Sequence, residues 1–389
     1  MRHIDRIPLR FQLAQIVVAT TIVLFGAWIY HNVSGNLARL GQGISFGFLD
    51  DPANFPVSQS LIDYSARDSY LRVFWVGLLN TLLVSGLTVI TATIIGVVAG
   101  VMRISPNWLL RKIAAVFVEA FRNVPLLLQL FFWYFAILPA LPPPRTSEAI
   151  WGCQDGAGCL LALTNRGLYA AKPTDSTLTQ LCLLILTAAM ITAILLIRYA
   201  RRKQIRTGKT TLVWPWIVLL LITPFALWFG FAGADDFVRP ELKGFNYRGG
   251  FLILPELAAL WLALTLYSAA YIAEYVRGGI QSVAKGQYEA AASIGLGNAR
   301  AMQLVILPQA LRVIIPPLTN QYLNIVKNSS LATAIAYPDL VSVFTGTALN
   351  QTGRAIEIIT MTMAVYLFIS LTIALFMNLY NRRIQLVTR

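Results

Sequence analysis

The residues able to do chemistry are few, and most stand inside long apolar runs. Glu119, Arg122 and Gln129 recur at helical spacing in one run, Asn320, Asn324 and Lys327 in another, Thr81, Ser85 and Thr88 in a third, and Tyr267, Tyr271 and Glu274 in a fourth. Helical periodicity puts the members of each set on one face. An ionisable group at the centre of a bilayer costs on the order of 2.5 to 3.5 kcal/mol, so these faces are expected to turn toward protein or a water-filled path. Their chemistry is hydrogen bonding and charge rather than bond breaking.

Motifs of catalysis are missing or incomplete. The only histidines are His3 and His31, and with three cysteines they offer no spacing suited to zinc. The stretch RTGKT at 206–210 ends like a phosphate-binding loop, but Lys203 stands where the first glycine is required. GLGNAR at 295–300 opens like a dinucleotide fingerprint and fails at Arg300. No HExxH pair occurs. The expectation is a protein that is not an enzyme, with no metal and no cofactor. Cys153 and Cys159 share one loop, and pair only if that loop faces an oxidising space; otherwise they are two free thiols.

The elements that position these residues are membrane helices. Of 389 residues, 57% are hydrophobic and 12% charged, and the mean hydropathy is +0.65; a water-soluble surface needs about twice that charged fraction. The apolar runs continue for about twenty residues without the alternation of a barrel strand. Eight spans are predicted near 12–30, 73–101, 113–141, 177–197, 212–232, 252–276, 314–337 and 360–380, giving an all-α membrane protein. The second and third runs exceed the crossing length, which predicts tilt or extension beyond the bilayer. The first follows a basic tip and lacks a cleavage site, so it reads as a retained anchor.

The net charge of +14 is distributed in short tracts flanking the spans, which argues for topology rather than nucleic acid as its cause. With the N-terminus inside, the inner segments carry 19 basic residues in 78 and the outer loops 9 in 115. That asymmetry predicts cytoplasmic termini.

Residues 277–312 then face the cytoplasm. Within them EAAASIGLGNARAMQLVILP at 289–308 predicts a helix, a turn at Gly295 and Gly297, and a second short helix that ends at Pro308. The pattern resembles the EAA loop of ABC-importer permeases: Glu289, Ala290 and Ala291, then Gly295, then Val305 in place of the usual isoleucine, then Leu307 and Pro308. LLNTLLVS (78–85), FVEAFRNVPLLLQLFFWYF (117–135), AEYVRGGIQSVAKGQYEAA (273–291) and LPQALRVIIPPLTNQYLNIVKNSSLA (307–332) are similar to permeases of the polar amino acid uptake family. The first span and the insertion carrying spans four and five resemble the longer general L-amino acid permeases.

The resemblance implies a five-helix type I importer core. It divides the chain into an anchor helix and periplasmic loop (1–72), a first part of the core (73–141), an inserted periplasmic loop with two helices (142–251), and a second part of the core (252–389). It also implies a multi-pass protein of the bacterial inner membrane. Its partners would be a cytoplasmic ATPase dimer, a second permease of paralogous sequence, and a periplasmic binding protein that delivers the amino acid. ATPase closure would be coupled through Glu289, Ala290, Ala291, Gly295, Leu307 and Pro308. Thr81, Arg122, Gln129, Tyr271, Glu274, Asn320, Asn324 and Lys327 are the residues expected along the substrate path. Arg122 or Lys327 would attract the carboxylate, while the amides supply neutral hydrogen bonds. The competing reading pairs Glu119 with Arg122 and bonds Lys327 to a carbonyl of a neighbouring helix. As a whole-protein alternative, an ion-gradient-driven secondary transporter would show paired halves, and no internal repeat is visible.

Overall fold

The computed structural model describes residues 9–39, 43, 45–146, 158–207, 212–233 and 236–384. Cys153, the GKT tract at 208–210, and Arg2 and Arg6 of the basic tip lie outside the described residues. The helices, in chain order, are α1 (Leu9–Arg39), α2 (Tyr70–Arg103), α3 (Trp108–Asn123), α4 (Leu126–Phe131), α5 (Thr177–Thr207), α6 (Trp214–Phe231), α7 (Pro255–Gln281), α8 (Lys285–Ser293), α9 (Asn298–Ala301), α10 (Leu307–Asn328), α11 (Leu349–Thr352) and α12 (Ala355–Ile384). Each of the eight predicted apolar runs corresponds to a helical stretch. Among the described residues six helices are long and apolar enough to cross a membrane; the bent pair described below makes a seventh, and α6 is a shorter apolar helix.

The third run departs from expectation. It is not one tilted span but two helical pieces, Trp108–Asn123 and Leu126–Ala140, bent by 104°. Pro125 causes the break: its ring disfavours the helical region for the residue before it, and Val124 is extended at φ −101°, ψ 129°. The freed carbonyls are answered by Gln129, whose Nε2 donates to Phe121 O at 2.8 Å and to Val124 O at 2.9 Å. The predicted shared face of Glu119, Arg122 and Gln129 therefore does not form, because Gln129 lies beyond the bend.

Pro308 is the second departure. The chain runs helically from Asn298 to Ile335, and Pro308 sits in the first turn of α10 rather than at a helix end. The five residues before α10, Met302–Ile306, form a π-helical turn. Opening the ladder there lets the helix pass a residue that lacks an N–H.

By internal packing the chain divides into two units, one of residues 1–85 and 311–389 and the other of residues 86–310. In the first, the start of α2 packs on the segment after α10. Phe74 meets Phe344 edge-on at 5.3 Å, and both belong to a buried cluster with Val73, Leu340 and Ile358. Asn80 Nδ2 donates to Gln59 O and Pro338 O, and Leu340 N donates to Thr81 Oγ1 at 3.0 Å. Asp339, fully buried between spans, accepts from Ser342 N at 2.8 Å; burial pushes its carboxyl up to about 7.

In the second unit α2 lies against α7 across Gly96 and Gly100. A Cβ on Gly96 would meet Ile272 Cβ at 2.6 Å, and one on Gly100 would meet Ala273 O at 2.7 Å. This is the small-residue spacing by which membrane helices approach closely. Thr91 and Thr265 bond across the same contact at 2.8 Å.

The inserted loop, expected to carry two helices, carries short strands as well. Strands β1 (Leu161–Thr164) and β2 (Gly167–Ala170) form a hairpin, and β7 (Phe251–Ile253), from the loop after α6, pairs antiparallel with β2. Short pairs β3 (Lys172–Pro173) with β4 (Phe237–Val238), and β5 (Glu241–Lys243) with β6 (Asn246–Arg248), complete a small β layer. Its core holds Ala162, Tyr169, Tyr247 and Cys159; Cys159 is disulfide-bonded, and Cys182 of α5 is free.

Because Gln129 satisfies two carbonyls where lipid cannot, Gln129→Leu is expected to destabilise the fold. The loss is about 1–3 kcal/mol for each carbonyl stranded out of reach of water, read as a lower thermal midpoint in detergent.

Candidate functional site

The segment between α7 and α10 is a hairpin. Its first arm, α8, is a nine-residue helix of strong helix formers. The arm stops in a two-bond left-handed cap: Gly295 N donates to Ala292 O at 2.9 Å and Leu296 N to Ala291 O at 3.0 Å. Gly295 has φ +76°, and a Cβ there would meet nothing within 4 Å. Backbone conformation, not space, therefore demands glycine. The second arm, from Asn298, is α9 and the π turn, and α8 packs against both.

The small residues divide between two faces. Ala291 is buried, as are Ala301 and Ile306 of the second arm, so it lets the arms close on each other. Glu289, Ala290, Ala292, Gly295 and Arg300 are exposed. Beside them Ile294 is 75% exposed and Leu304 66%. Leu307 and Pro308 are exposed where the second arm enters α10. Gln309 Nε2 donates to Gln287 Oε1 at 3.0 Å and ties the base of the hairpin. A rigid turn that presents small and apolar side chains to solvent has the form of a docking surface.

The path residues fall into three groups. Thr81 and Gln129 are spent on backbone: Thr81 Oγ1 donates to Gly77 O at 3.0 Å while accepting from Leu340 N, and Gln129 holds the break before α4.

Arg122, Tyr271 and Glu274 come together in the second unit. Glu274, its side chain only 15% exposed, is ion-paired to Arg103, to Arg277 at 2.7 Å and to Arg122 at 3.8 Å. The Arg122 guanidinium also lies 5.1 Å from the centre of the Tyr271 ring. Tyr267 OH donates to Tyr271 OH at 3.4 Å. Arg122 thus reaches across to α7 rather than pairing with Glu119. One carboxylate among three guanidiniums holds the ends of α2, α3 and α7. Its removal would leave three cations without compensation.

Asn320, Asn324 and Lys327 form the third group. They are exposed and, at intervals of four and three residues, share one face of α10 with Val313 and Pro316. Arg103 and Arg277 were not singled out from sequence. Arg277 was within reach of such a reading, three residues from Glu274 on a predicted helix; Arg103 was not, because the contact is tertiary. Asn80, fully buried, was missed for the same reason.

Comparison with known proteins follows this geometry. The family described as "Binding-protein-dependent transport system inner membrane component" matches residues 209–386. Over 381 residues the chain is 51% identical to the putative amino-acid ABC transporter permease YhdX of Escherichia coli K12, covering 98% of this chain and 95% of that one. It is 45% identical to AapQ of Rhizobium johnstonii, a general L-amino acid transport system permease, over 96% of this chain and 92% of the relative. With BztB of Rhodobacter capsulatus, a glutamate, glutamine, aspartate and asparagine transport system permease, the identity is 42% over 96% and 93%. Close likeness along nearly the full length of such relatives means that this multi-pass chain belongs to the ABC transporter permeases, the inner membrane components of binding-protein-dependent transport systems, a family that implies an ATPase and a binding protein as partners.

Proposed function

We propose that the chain is the permease subunit of an ATP-driven importer of polar or general L-amino acids, with no catalytic centre of its own. The observation that carries this reading is the hairpin at 285–309. Its left-handed cap fixes the turn, and its outer face offers alanines, Gly295, Ile294 and Leu304 to a partner. The amino-acid substrate is supported by the names of the three relatives above.

In this reading both termini and the hairpin are cytoplasmic. The basic residues favour that orientation. The disulfide at Cys159 agrees with it, since that loop then faces an oxidising compartment. A cytoplasmic ATPase dimer seats on Glu289, Ala290, Ala291, Gly295, Leu307 and Pro308, and a second permease of paralogous sequence completes the transmembrane pair. The binding protein delivers substrate from the periplasmic side. Nucleotide-driven closure of the ATPase moves the hairpin, and the permease alternates between inward- and outward-facing states.

For the path, the open face of α10 supplies what a zwitterion needs. Asn320 and Asn324 offer amide donors and acceptors, and Lys327 is an exposed cation for the carboxylate. Arg122 is less suited to that role because it is already engaged with Glu274 and Tyr271. Tyr271 and Glu274 then act on the path through the position they give α7.

Two predictions follow from this assignment. Gly295→Val forces a β-branched residue into the left-handed region at a cost of about 1–2 kcal/mol, whereas Gly295→Asn tolerates it. The valine variant, and Ala290→Glu on the outer face, should insert normally yet lose ATPase association and uptake together, while Gly295→Asn keeps both. Pull-down and radiolabelled uptake read the outcome. Lys327→Met should lower uptake by about tenfold or more, the value of a hydrogen bond to a charged group, with ATPase association unchanged. Normal uptake by that variant would remove Lys327 from the path.

A further inference from the structure

A second charged feature lies at the helix ends beside the Glu274 cluster. Arg103 closes α2, Trp108, Arg111 and Lys112 open α3, and Arg277 and Gln281 occupy the last turns of α7; together they line a cavity of about 360 Å³. Four cations face it. Glu274, paired with Arg103 and Arg277 behind the wall, is the carboxylate that offsets them. Arg277 is held in place, with Nε and Nη2 bonded to Glu274 and Nη1 to Gln281 at 2.6 Å, and keeps N–H donors in reserve. Arg111 and Lys112 are exposed, and among the described residues neither enters an ion pair. Glu119 and Arg122, two turns further along α3, offset each other in sign. The described residues that line the cavity therefore bring four cations and no carboxylate.

The side of α3 next to these cations decides what kind of anion fits. Leu109, Ile113 and Val116, at intervals of four and three, are each more than half exposed, and so form a continuous apolar strip leading from the cavity along the helix. Trp108, 65% exposed, stands at the mouth, the place an indole takes at headgroup level. A free phosphate would use the cations and leave the strip idle. A lipid would use both.

We propose that this cavity is a binding site for the phosphate of an anionic phospholipid, with Arg111 and Lys112 as the mobile clamp, Arg103 and Arg277 as the fixed wall, and an acyl chain lying on Leu109, Ile113 and Val116. Basic pockets between membrane helices recognise acidic headgroups by this chemistry. The site borders the segment that leads into the hairpin, since α8 begins four residues after Gln281. Headgroup occupancy would therefore brace the end of α7 from which the coupling segment departs.

The test uses the assembled transporter, delipidated in detergent and titrated with dioleoylphosphatidylglycerol, with retained lipid read by native mass spectrometry. Neutralising both clamp residues, Arg111→Gln with Lys112→Gln, should weaken retention about thirtyfold, the combined value of two cations near an acidic headgroup. The control pair Arg198→Gln with Arg202→Gln, exposed on α5 and outside the cavity lining, should leave it unchanged. Phosphatidylcholine should not compete, and excess inorganic phosphate should not displace the lipid. Equal loss in both pairs, or equal retention in both, overturns the proposal. So does displacement by inorganic phosphate, which would make the site one for the free anion. Should the clamp variant fail to assemble, the wild type still decides: equal retention of phosphatidylcholine and phosphatidylglycerol overturns it.

Discussion

A bilayer offers no hydrogen-bond partner to a peptide group, and this permease is organised by how it meets that constraint where its helices break. Each break has a named donor or acceptor. At Val124–Pro125 the partner is Gln129, which spends both amide hydrogens on the carbonyls that the proline strands. After α10 the chain turns through Ala336, at φ +57°, and the buried main-chain groups of Pro338 and Leu340 are taken by Asn80 and Thr81 of α2. At Gly295 the turn lies in the segment assigned to the cytoplasm, and the backbone satisfies itself through the two bonds of the left-handed cap. An unbroken apolar helix presents nothing to a partner or a polar solute, so such breaks are where polar groups become available.

The same constraint sorts the polar side chains. Those with backbone to satisfy, Thr81, Gln129 and Asn80, are buried and donate to main-chain carbonyls. Those that balance charge, Arg103, Arg122, Arg277 and Glu274, form one cluster that fastens three helix ends. Asn320, Asn324 and Lys327 on α10 are exposed, and theirs is the hydrogen-bonding capacity proposed above to meet a passing zwitterion. Loss of Glu274 would be felt as structure before it was felt as transport.

Much of this was legible from the sequence, because apolar length is an unambiguous signal. All eight runs became helices, and the glycine of the hairpin was assigned its turn. The two prolines show where local rules fail. Pro308 was read as a stop, yet a π turn at Met302–Ile306 opens the ladder and the helix continues. Pro125 was passed over inside an apolar run, yet it bends the chain by 104°. Whether a proline breaks a helix depends on what can donate to the freed carbonyls, and the proline alone does not say. The β hairpin at Leu161–Ala170 had a local signal, two short alternating runs around Asn165, Arg166 and Gly167. Its third strand comes from a loop some eighty residues away, beyond any local rule.

The central claim is that the exposed face of the 285–309 hairpin is where the ATPase seats. Hydrogen–deuterium exchange of the permease, alone and assembled with its ATPase, tests it most directly. The account predicts slower exchange on assembly in peptides covering Ala290 to Leu304, with the α10 face around Asn320 to Lys327 unchanged. Unaltered exchange in the hairpin, with protection arising in another segment such as the end of α5, would contradict it.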